Sequence, residues 1–368
     1  MRGMTRRAFV GLGGAALLGM AGCGADPAGD DRPEEGAAPE GSAALVTSQS
    51  RADANPPAEG EPVKLSTFAF DTLVTLTVYG ASREAVQGCL ASCADYEGLF
   101  SARLEGSDVA RVNAAAGGPV EVDPRTAELL GKALEYAELS DGLFDVTVGA
   151  VSLLWDFVEG VKPDDAAVEA ALAHVGGDAL SVDGATVTLS DPGARIDLGG
   201  IAKGWIAGRL RDDLVAAGAT AGIVNLGTSS TCLFGTKPDG SLWRIGLRDP
   251  RGGETGSLLG VVELTDCSLT SSGLYDRQFE LGGVTYWHIL DPATGYPVDT
   301  DMLGDSVVCD DPTLGDALST MLFVMGIEPA CAWLAKNAPE VCAMFVGEDD
   351  VPVFANGFEE RCRFEAVS

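Results

Sequence analysis

Between residues 64 and 368, strand-like and helix-like periodicities fall in separate runs rather than in strict alternation, and this segregation restricts the chain to an α+β architecture. Residues 73–78 read Leu-Val-Thr-Leu-Thr-Val, a strand closed by Gly80. Ser82 can cap a helix running to Glu97, and Asp123-Pro124 can start another with Leu129, Leu130, Ala133, Leu134 and Ala137 on one face, stopped by Asp141-Gly142. Residues 164–173 predict a helix, and residues 179–189 a hairpin whose turn is Asp183-Gly184. A strand through Ile196, a Gly-Gly turn and a helix over 201–217 follow. Residues 222–290 then predict short antiparallel strands in a meander, cut by turns such as Pro238-Asp239-Gly240. Helices over 313–325 and 328–336 and a hairpin turning near residues 348–350 complete the pattern.

The first 63 residues are of another kind. Arg2, Arg6 and Arg7 precede an apolar stretch, 8–21, that is too short to span a bilayer. Residues 1–23 therefore read as a signal peptide, with the arginine pair placed as in a twin-arginine signal. Met20-Ala21-Gly22-Cys23 is similar to the lipobox of bacterial lipoproteins, so that Cys23 would be acylated and anchor the chain; the other reading is a small-residue cleavage site with an incidental cysteine. Residues 24–63 are rich in Ala, Gly, Pro and acidic side chains and have few large hydrophobes, the composition of a disordered tether. Such a segment would reach roughly 35 Å. The expected location is extracytoplasmic, lipid-anchored to the cell membrane.

The formal net charge is −31. Nucleic acid is excluded as a partner, since phosphate contacts need clustered Lys and Arg. A small polyanion would need local help from a metal ion or a helix N-terminus. None of the nine cysteines makes a Cys-x-x-Cys pair or a zinc spacing. Export of a folded protein would mean folding in a reducing cytoplasm, so the eight thiols beyond Cys23, among them Cys89 and Cys93 at helical spacing, are expected to be buried small hydrophobes rather than obligatory disulfides.

Three stretches could carry chemistry. In residues 197–204, Asp-Leu-Gly-Gly-Ile-Ala-Lys-Gly, a strand meets a helix across bare amides that suit a phosphate, with Lys203 adding charge; on local sequence alone a tight turn with a capping Asp is the favoured reading. Residues 288–297 open with His288, one of two histidines, and enter an Asp-Pro turn; the other, His174, reads as a solvated helix-end residue. In the third, Asp316 and Thr320 stand at i, i+4 on one helix face, two hard oxygen donors that could hold Mg²⁺ alongside phosphate oxygens and waters, or else a solvated Asp and a back-bonded Thr.

Taken in order, these stretches resemble the FAD:protein FMN transferase (ApbE) family. The likeness starts at Phe70-Asp71-Thr72 and runs through Asn113-Ala114-Ala115, residues 140–149, residues 196–204, Ser271-Ser272-Gly273, the His288 turn and residues 316–320. It implies an α+β, two-part, T-fold-like body with antiparallel sheets and packed helices, occupying residues 64–368 as a flavin transferase domain. It further implies that the body binds FAD with Mg²⁺, moves FMN to a Ser or Thr hydroxyl of an exported acceptor flavoprotein and releases AMP. By the family pattern, Phe70, Leu143, Phe144, Asp145, Asp197, Lys203 and His288 contact FAD. The carbonyl of Gly200, with Asp316 and Thr320, matches the metal site. Phe70 stands where many relatives carry Met, and residues 225–230 depart from the usual Gly-Gly followed by Asp or Asn.

His288 and Asp316 are the candidate catalytic residues. Phosphoryl transfer needs charge neutralisation more than covalent help, which suits a metal on Asp316 with Lys203 beside it. His288 is a candidate base for the acceptor hydroxyl or, alternatively, a group that only holds the nucleotide. An FAD pyrophosphatase with water as acceptor and a non-catalytic flavin-binding lipoprotein are the competing readings.

Overall fold

The computed structural model describes residues 60–367 except 228, 252–256, 275–276 and 350. The expected signal, lipobox and most of the tether lie outside the described residues. In chain order the elements begin with β1 (Val63–Ala69), β2 (Thr72–Tyr79), α1 (Arg83–Ala91), α2 (Cys93–Phe100), α3 (Asp108–Ala114), β3 (Pro119–Glu121) and α4 (Pro124–Leu139). Next come α5 (Gly149–Ser152), α6 (Asp165–Leu172), β4 (Leu180–Asp183), β5 (Thr186–Leu189), α7 (Ala202–Ala216), β6 (Ala221–Leu226) and β7 (Ser230–Phe234). The rest are β8 (Trp243–Arg248), β9 (Leu258–Leu264), β10 (Cys267–Thr270), β11 (Gln278–Leu281), β12 (Val284–Trp287), β13 (Gly304–Cys309), α8 (Pro312–Met325), α9 (Ile327–Asn337), β14 (Cys342–Val346), β15 (Val353–Ala355), α10 (Phe358–Arg361) and β16 (Glu365–Ala366).

Eight strands form one antiparallel sheet in the order β1-β2-β6-β7-β10-β13-β14-β15. Its central strands are covered on both faces, so β7, β13 and β14 are buried along their whole length without alternation. In β14, Ala343 and Phe345 enter the layer beneath α7 and α8, while Cys342, Met344 and Val346 enter a second layer shared with Trp243, Val262 and Phe358. That second layer is roofed by a small sheet, β16-β9-β8. A further three-stranded sheet, β3-β5-β4, packs with α3 and α4, and β11-β12 stands apart as a hairpin. The α+β class and antiparallel pairing are as the sequence predicts. Among the described residues no helix is long and apolar enough to cross a membrane.

Local differences from the sequence reading have identifiable causes. The expected helix over 82–97 is two helices broken at Ser92, whose hydroxyl turns back to the Cys89 carbonyl at 2.8 Å. The expected meander over 222–290 is antiparallel throughout but divided among three sheets, because β8 and β9 leave the large sheet to cover it. In the β4–β5 hairpin the two loop residues are Gly184 and Ala185, and Gly184 takes the left-handed conformation while Asp183 stays paired in the strand. His174 is not simply solvated: its Nδ1 pairs with Asp191 at 2.8 Å.

The expected strand through Ile196 is replaced by a side-chain clamp. Asn113 donates to the Ile196 carbonyl at 2.9 Å and accepts from the Ile196 amide at 2.7 Å, satisfying both backbone groups as a strand neighbour would. Arg195 makes a single parallel bridge to Val148, and the Asp197 amide donates to Val146. Gly149 permits this approach: a Cβ there would lie 2.5 Å from the Ile196 carbonyl carbon.

Beneath α8, Asp305 of β13 is 4% exposed, accepting from the Ser272 amide at 2.7 Å and the Ser319 hydroxyl at 2.8 Å through one oxygen, while the other has no partner. Burial pushes its carboxyl up to about 8. The folded state therefore keeps a proton that the unfolded chain, near the ordinary 3.9, has released, so this contribution to stability is full in acid and is lost as pH rises towards about 8. Between about pH 6.5 and 8 the protein should lose on the order of 1–2 kcal/mol from this group. Asp305→Asn should flatten that loss in thermal melts, and equal slopes for both proteins would refute the assignment.

Candidate active site

The site is organised by one carboxylate at a helix crossing. Gly204 and Gly208 of α7 face Pro312 of α8, and a Cβ on Gly204 would fall 2.0 Å from the Pro312 carbonyl oxygen. Glycine in a helix interior costs about 1 kcal/mol, and here it lets the two backbones meet. At that crossing the Gly204 amide, one of the unsatisfied donors of the first turn of α7, donates to Asp316 Oδ2 at 2.5 Å. Asp316 thus caps α7 from another helix. Ser230 donates to Asp316 Oδ1 at 2.6 Å and Thr270 at 3.4 Å, from the ends of adjacent strands. Asp316 is 5% exposed, and burial raises its pKa while the nearby Lys203 ammonium opposes the rise.

Thr320 lies one turn along α8. Its hydroxyl donates to the Asp316 carbonyl at 3.3 Å, the back-bonded geometry that the sequence left open, and its Oγ1 sits 3.2 Å from where a Gly200 Cβ would be. Gly200 thus lies against Thr320, one helical turn beyond Asp316 on α8. Phe144 closes the other side of Gly200, its Cε2 also 3.2 Å from that Cβ position. Asp197 holds the turn itself, accepting from the Gly199 amide at 2.9 Å and from the Ser152 hydroxyl at 2.7 Å.

Lys203 links this junction to the His288 turn. It donates to the Ser229 hydroxyl, and its charge acts on both Asp316 and His288. His288 lies just beyond β12 rather than within a strand. Its Nδ1 is sealed from solvent with no partner, as is Nε1 of the neighbouring Trp287. Burial, reinforced by Arg277 and Lys203, lowers the imidazole to about 4, so it is neutral at pH 7.

Phe70 reaches the site by a different route. Phe70 and Asp71 form the β1–β2 turn, both in the left-handed region at φ 55° and 56°, a conformation that normally calls for Asn-Gly. Glu97 holds the Phe70 amide at 2.7 Å. Asp71 pairs at 4.0 Å with Arg277, whose carbonyl accepts from the His288 amide at 3.1 Å. Leu143 is half-buried at the edge of the core. Asp145 is not brought to the Asp316 junction by any direct contact: its Oδ1 accepts from the amide and hydroxyl of Thr147 at 2.8 and 2.7 Å.

Sequence reading missed Ser230, Thr270, Ser319, Ser152, Asn113 and Asp305. Asn113, Ser230 and Ser319 stand in stretches already singled out, though not for these contacts, and the others are ordinary strand or helix residues until the sheet assembles. Among the described residues no group of three or more His, Cys, Asp or Glu could hold a metal. The donor set at the junction is instead one carboxylate, one hydroxyl and one backbone carbonyl. A separate cavity of about 210 Å³ lies between the large sheet and β8, lined by Asn225, Ser271 and Met344 among others, and Asp316, Lys203 and His288 do not line it.

The ApbE family model matches residues 70–345. A FAD:protein FMN transferase of Treponema pallidum is 36% identical over 285 residues, covering 73% of this chain and 78% of that protein. One of Klebsiella pneumoniae is 32% identical over 313 residues, covering 84% and 92%. Among solved structures, the ApbE protein of Thermotoga maritima superposes with a TM-score of 0.75 at 32% identity, covering 81% of this chain and 98% of that one. The flavinyl transferase ApbE of Pseudomonas stutzeri gives 0.72 at 29% identity, covering 82% and 96%. A match of this extent in sequence and in fold, around a buried Asp316 that caps α7 through the Gly204 amide, means that the chain belongs to the ApbE family.

Proposed function

We propose that this chain moves FMN from FAD to a Ser or Thr hydroxyl of an exported acceptor protein, releasing AMP, with Mg²⁺ at the Gly200–Asp316–Thr320 junction. The reading is supported by one observation above the others: a buried carboxylate that caps a helix, beside a lysine and a neutral histidine with an unfilled nitrogen. The curated relatives carry the name of this transferase. The enzyme is accordingly a transferase acting on a flavin dinucleotide.

The donor set fits a magnesium ion. An ionised carboxylate offers about four lone-pair positions, and Gly204, Ser230 and Thr270 use three of them, leaving room for one more bond. One carboxylate with few other protein oxygens is the ordinary complement for Mg²⁺ when phosphates and water supply the rest. The carboxylate of Asp316, the hydroxyl of Thr320 and the carbonyl of Gly200 would hold the ion. Bound there, it would neutralise phosphoryl charge and favour departure of AMP.

The remaining work falls to the chain's own groups. Lys203 places a point charge beside the pyrophosphate, and the first turn of α7 adds the positive end of a helix dipole. Phe144 and Phe70 offer apolar surface to the flavin nucleotide, and Asp197 keeps the 197–200 turn in shape. His288, neutral in the empty site, can accept or donate one hydrogen bond at Nδ1. An anionic phosphate near it would offset Lys203 and Arg277 and raise its basicity, so the same imidazole can hold the nucleotide and draw a proton from the acceptor hydroxyl.

Residues 1–23 as a signal with acylated Cys23, and 24–63 as a tether, would hold the transferase domain on the outer side of the cell membrane, where an exported acceptor is met. Cys23→Ser should shift the protein from the membrane fraction to the soluble fraction; unchanged partition would refute the anchor.

Asp316→Ala should reduce flavin transfer by more than the roughly 100-fold that loss of an outer-shell partner costs a metal site. The assay is an FMN-sized mass gain and in-gel flavin fluorescence on a candidate acceptor incubated with FAD and Mg²⁺. Full activity of that variant in metal-limited buffer would remove the metal from the mechanism, and FMN appearing at equal rate without acceptor would identify water as the true acceptor. Lys203→Ala removes a charge-assisted contact and should weaken FAD binding about 10-fold or more in a fluorescence titration. An unchanged titration would exclude the contact.

A further inference from the structure

We propose that Cys342 and Cys362 form a disulfide site, a covalent link between the large sheet and the carboxyl-terminal helix that the reduced fold holds ready. All eight cysteines among the described residues are free thiols. Seven are buried, as the sequence reading expects, yet this pair is set apart by geometry: the two sulfurs lie 3.6 Å from each other. Cys342 opens β14 and Cys362 follows the last residue of α10, and each is 1% exposed in the apolar layer between the two sheets. Cys267 shares that layer, near enough to act electrostatically on Cys362, while the close sulfur pair is Cys342 with Cys362. A disulfide requires about 2.05 Å between sulfurs, so closure asks for an approach of about 1.5 Å, within reach of side-chain torsions.

The surroundings also favour exchange chemistry at this pair. The hydrogen bond from Cys362, the Arg361 charge and the backbone lower the Cys342 thiol against the effect of burial, while Cys362 is pushed up. Cys342 is therefore the attacking thiolate. In the reaction it releases its proton to water and attacks one sulfur of a small disulfide oxidant, expelling one thiolate. Cys362, once deprotonated, attacks the Cys342 sulfur of that mixed disulfide and expels the second. Two electrons pass to the oxidant, which leaves as two thiols. Access comes through the chain end: α10 spans Phe358–Arg361 and β16 is Glu365–Ala366, short elements of the kind that open first. The bond would close the segment from 342 to 362, tying the edge strand β15 and α10 to the sheet.

The test uses the purified reduced protein and glutathione disulfide. Expected are an intact mass lower by about 2 Da, a non-reduced peptide map joining Cys342 to Cys362, and a melting temperature about 5 °C above the reduced form, the size loop closure predicts for a chain of this length. Cys267→Ser should behave like the parent, whereas Cys362→Ser, which lacks the second thiol, should show no 2 Da loss and should instead hold a glutathione adduct on Cys342. In the parent protein a bond mapped to Cys267, a persistent glutathione adduct, no loss of mass, or equal melting of the oxidised and reduced forms would each overturn the proposal.

Discussion

The hydrogen bond from the Gly204 amide to Asp316 is the interaction around which the rest of the site is arranged. It exists only because α7 and α8 cross at backbone distance, and they do so because residue 204 carries no side chain to strike the Pro312 carbonyl. Burying a lone carboxylate would otherwise cost several kcal/mol. Here a helix terminus and two strand-end hydroxyls compensate the charge in part, and the rise in its pKa reports what remains uncompensated. A site built this way is stable while retaining a demand for positive charge, which is the property a metal–dinucleotide site requires.

Around that node the second layer fixes positions rather than supplying chemistry. Asn113 holds Ile196 at both backbone groups, Ser152 and the Gly199 amide hold Asp197, and Glu97 holds the Phe70 amide. Asn113, Ser152 and Glu97 come from helices distant in sequence, while the Gly199 amide belongs to the turn itself. Strain at Phe70 and Asp71, two left-handed side-chain-bearing residues in succession, persists because Glu97 and the β1–β2 ladder over-determine the turn.

Much of the α+β pattern, and the local features of the Gly200–Asp316–Thr320 junction, were legible because their signals are local. Asp316 and Thr320 announce a shared helix face by spacing, and Gly199-Gly200 announces a turn. Ser230, Thr270 and Ser319 were not legible, since a serine in an apolar run says nothing until the facing carboxylate arrives from another element. Asp305 was hidden for the same reason, its partners being Ser272 and Ser319. The break at Ser92 and the absence of a strand at Ile196 are cases where one side chain, Ser92 or Asn113, took the backbone bonds that regular structure would have used. Asp145 shows the converse: the family likeness marks it as a ligand neighbour, while its Oδ1 is engaged by Thr147.

A chain of net charge −31 that binds a dinucleotide must concentrate its few cations, and the positions of Lys203 and Arg277 show how. Both act on His288, and Lys203 also acts on Asp316, so a single lysine is shared between the Asp316 carboxylate and the histidine turn. Burial, reinforced by those charges, holds His288 neutral, and an incoming pyrophosphate would offset the part that the charges contribute. The basicity of the histidine is then coupled to occupancy: weak when the site is empty, stronger when phosphate is in place. Proton removal from an acceptor would thereby be confined to the loaded enzyme, a selectivity that follows from charge placement without any movement of the backbone.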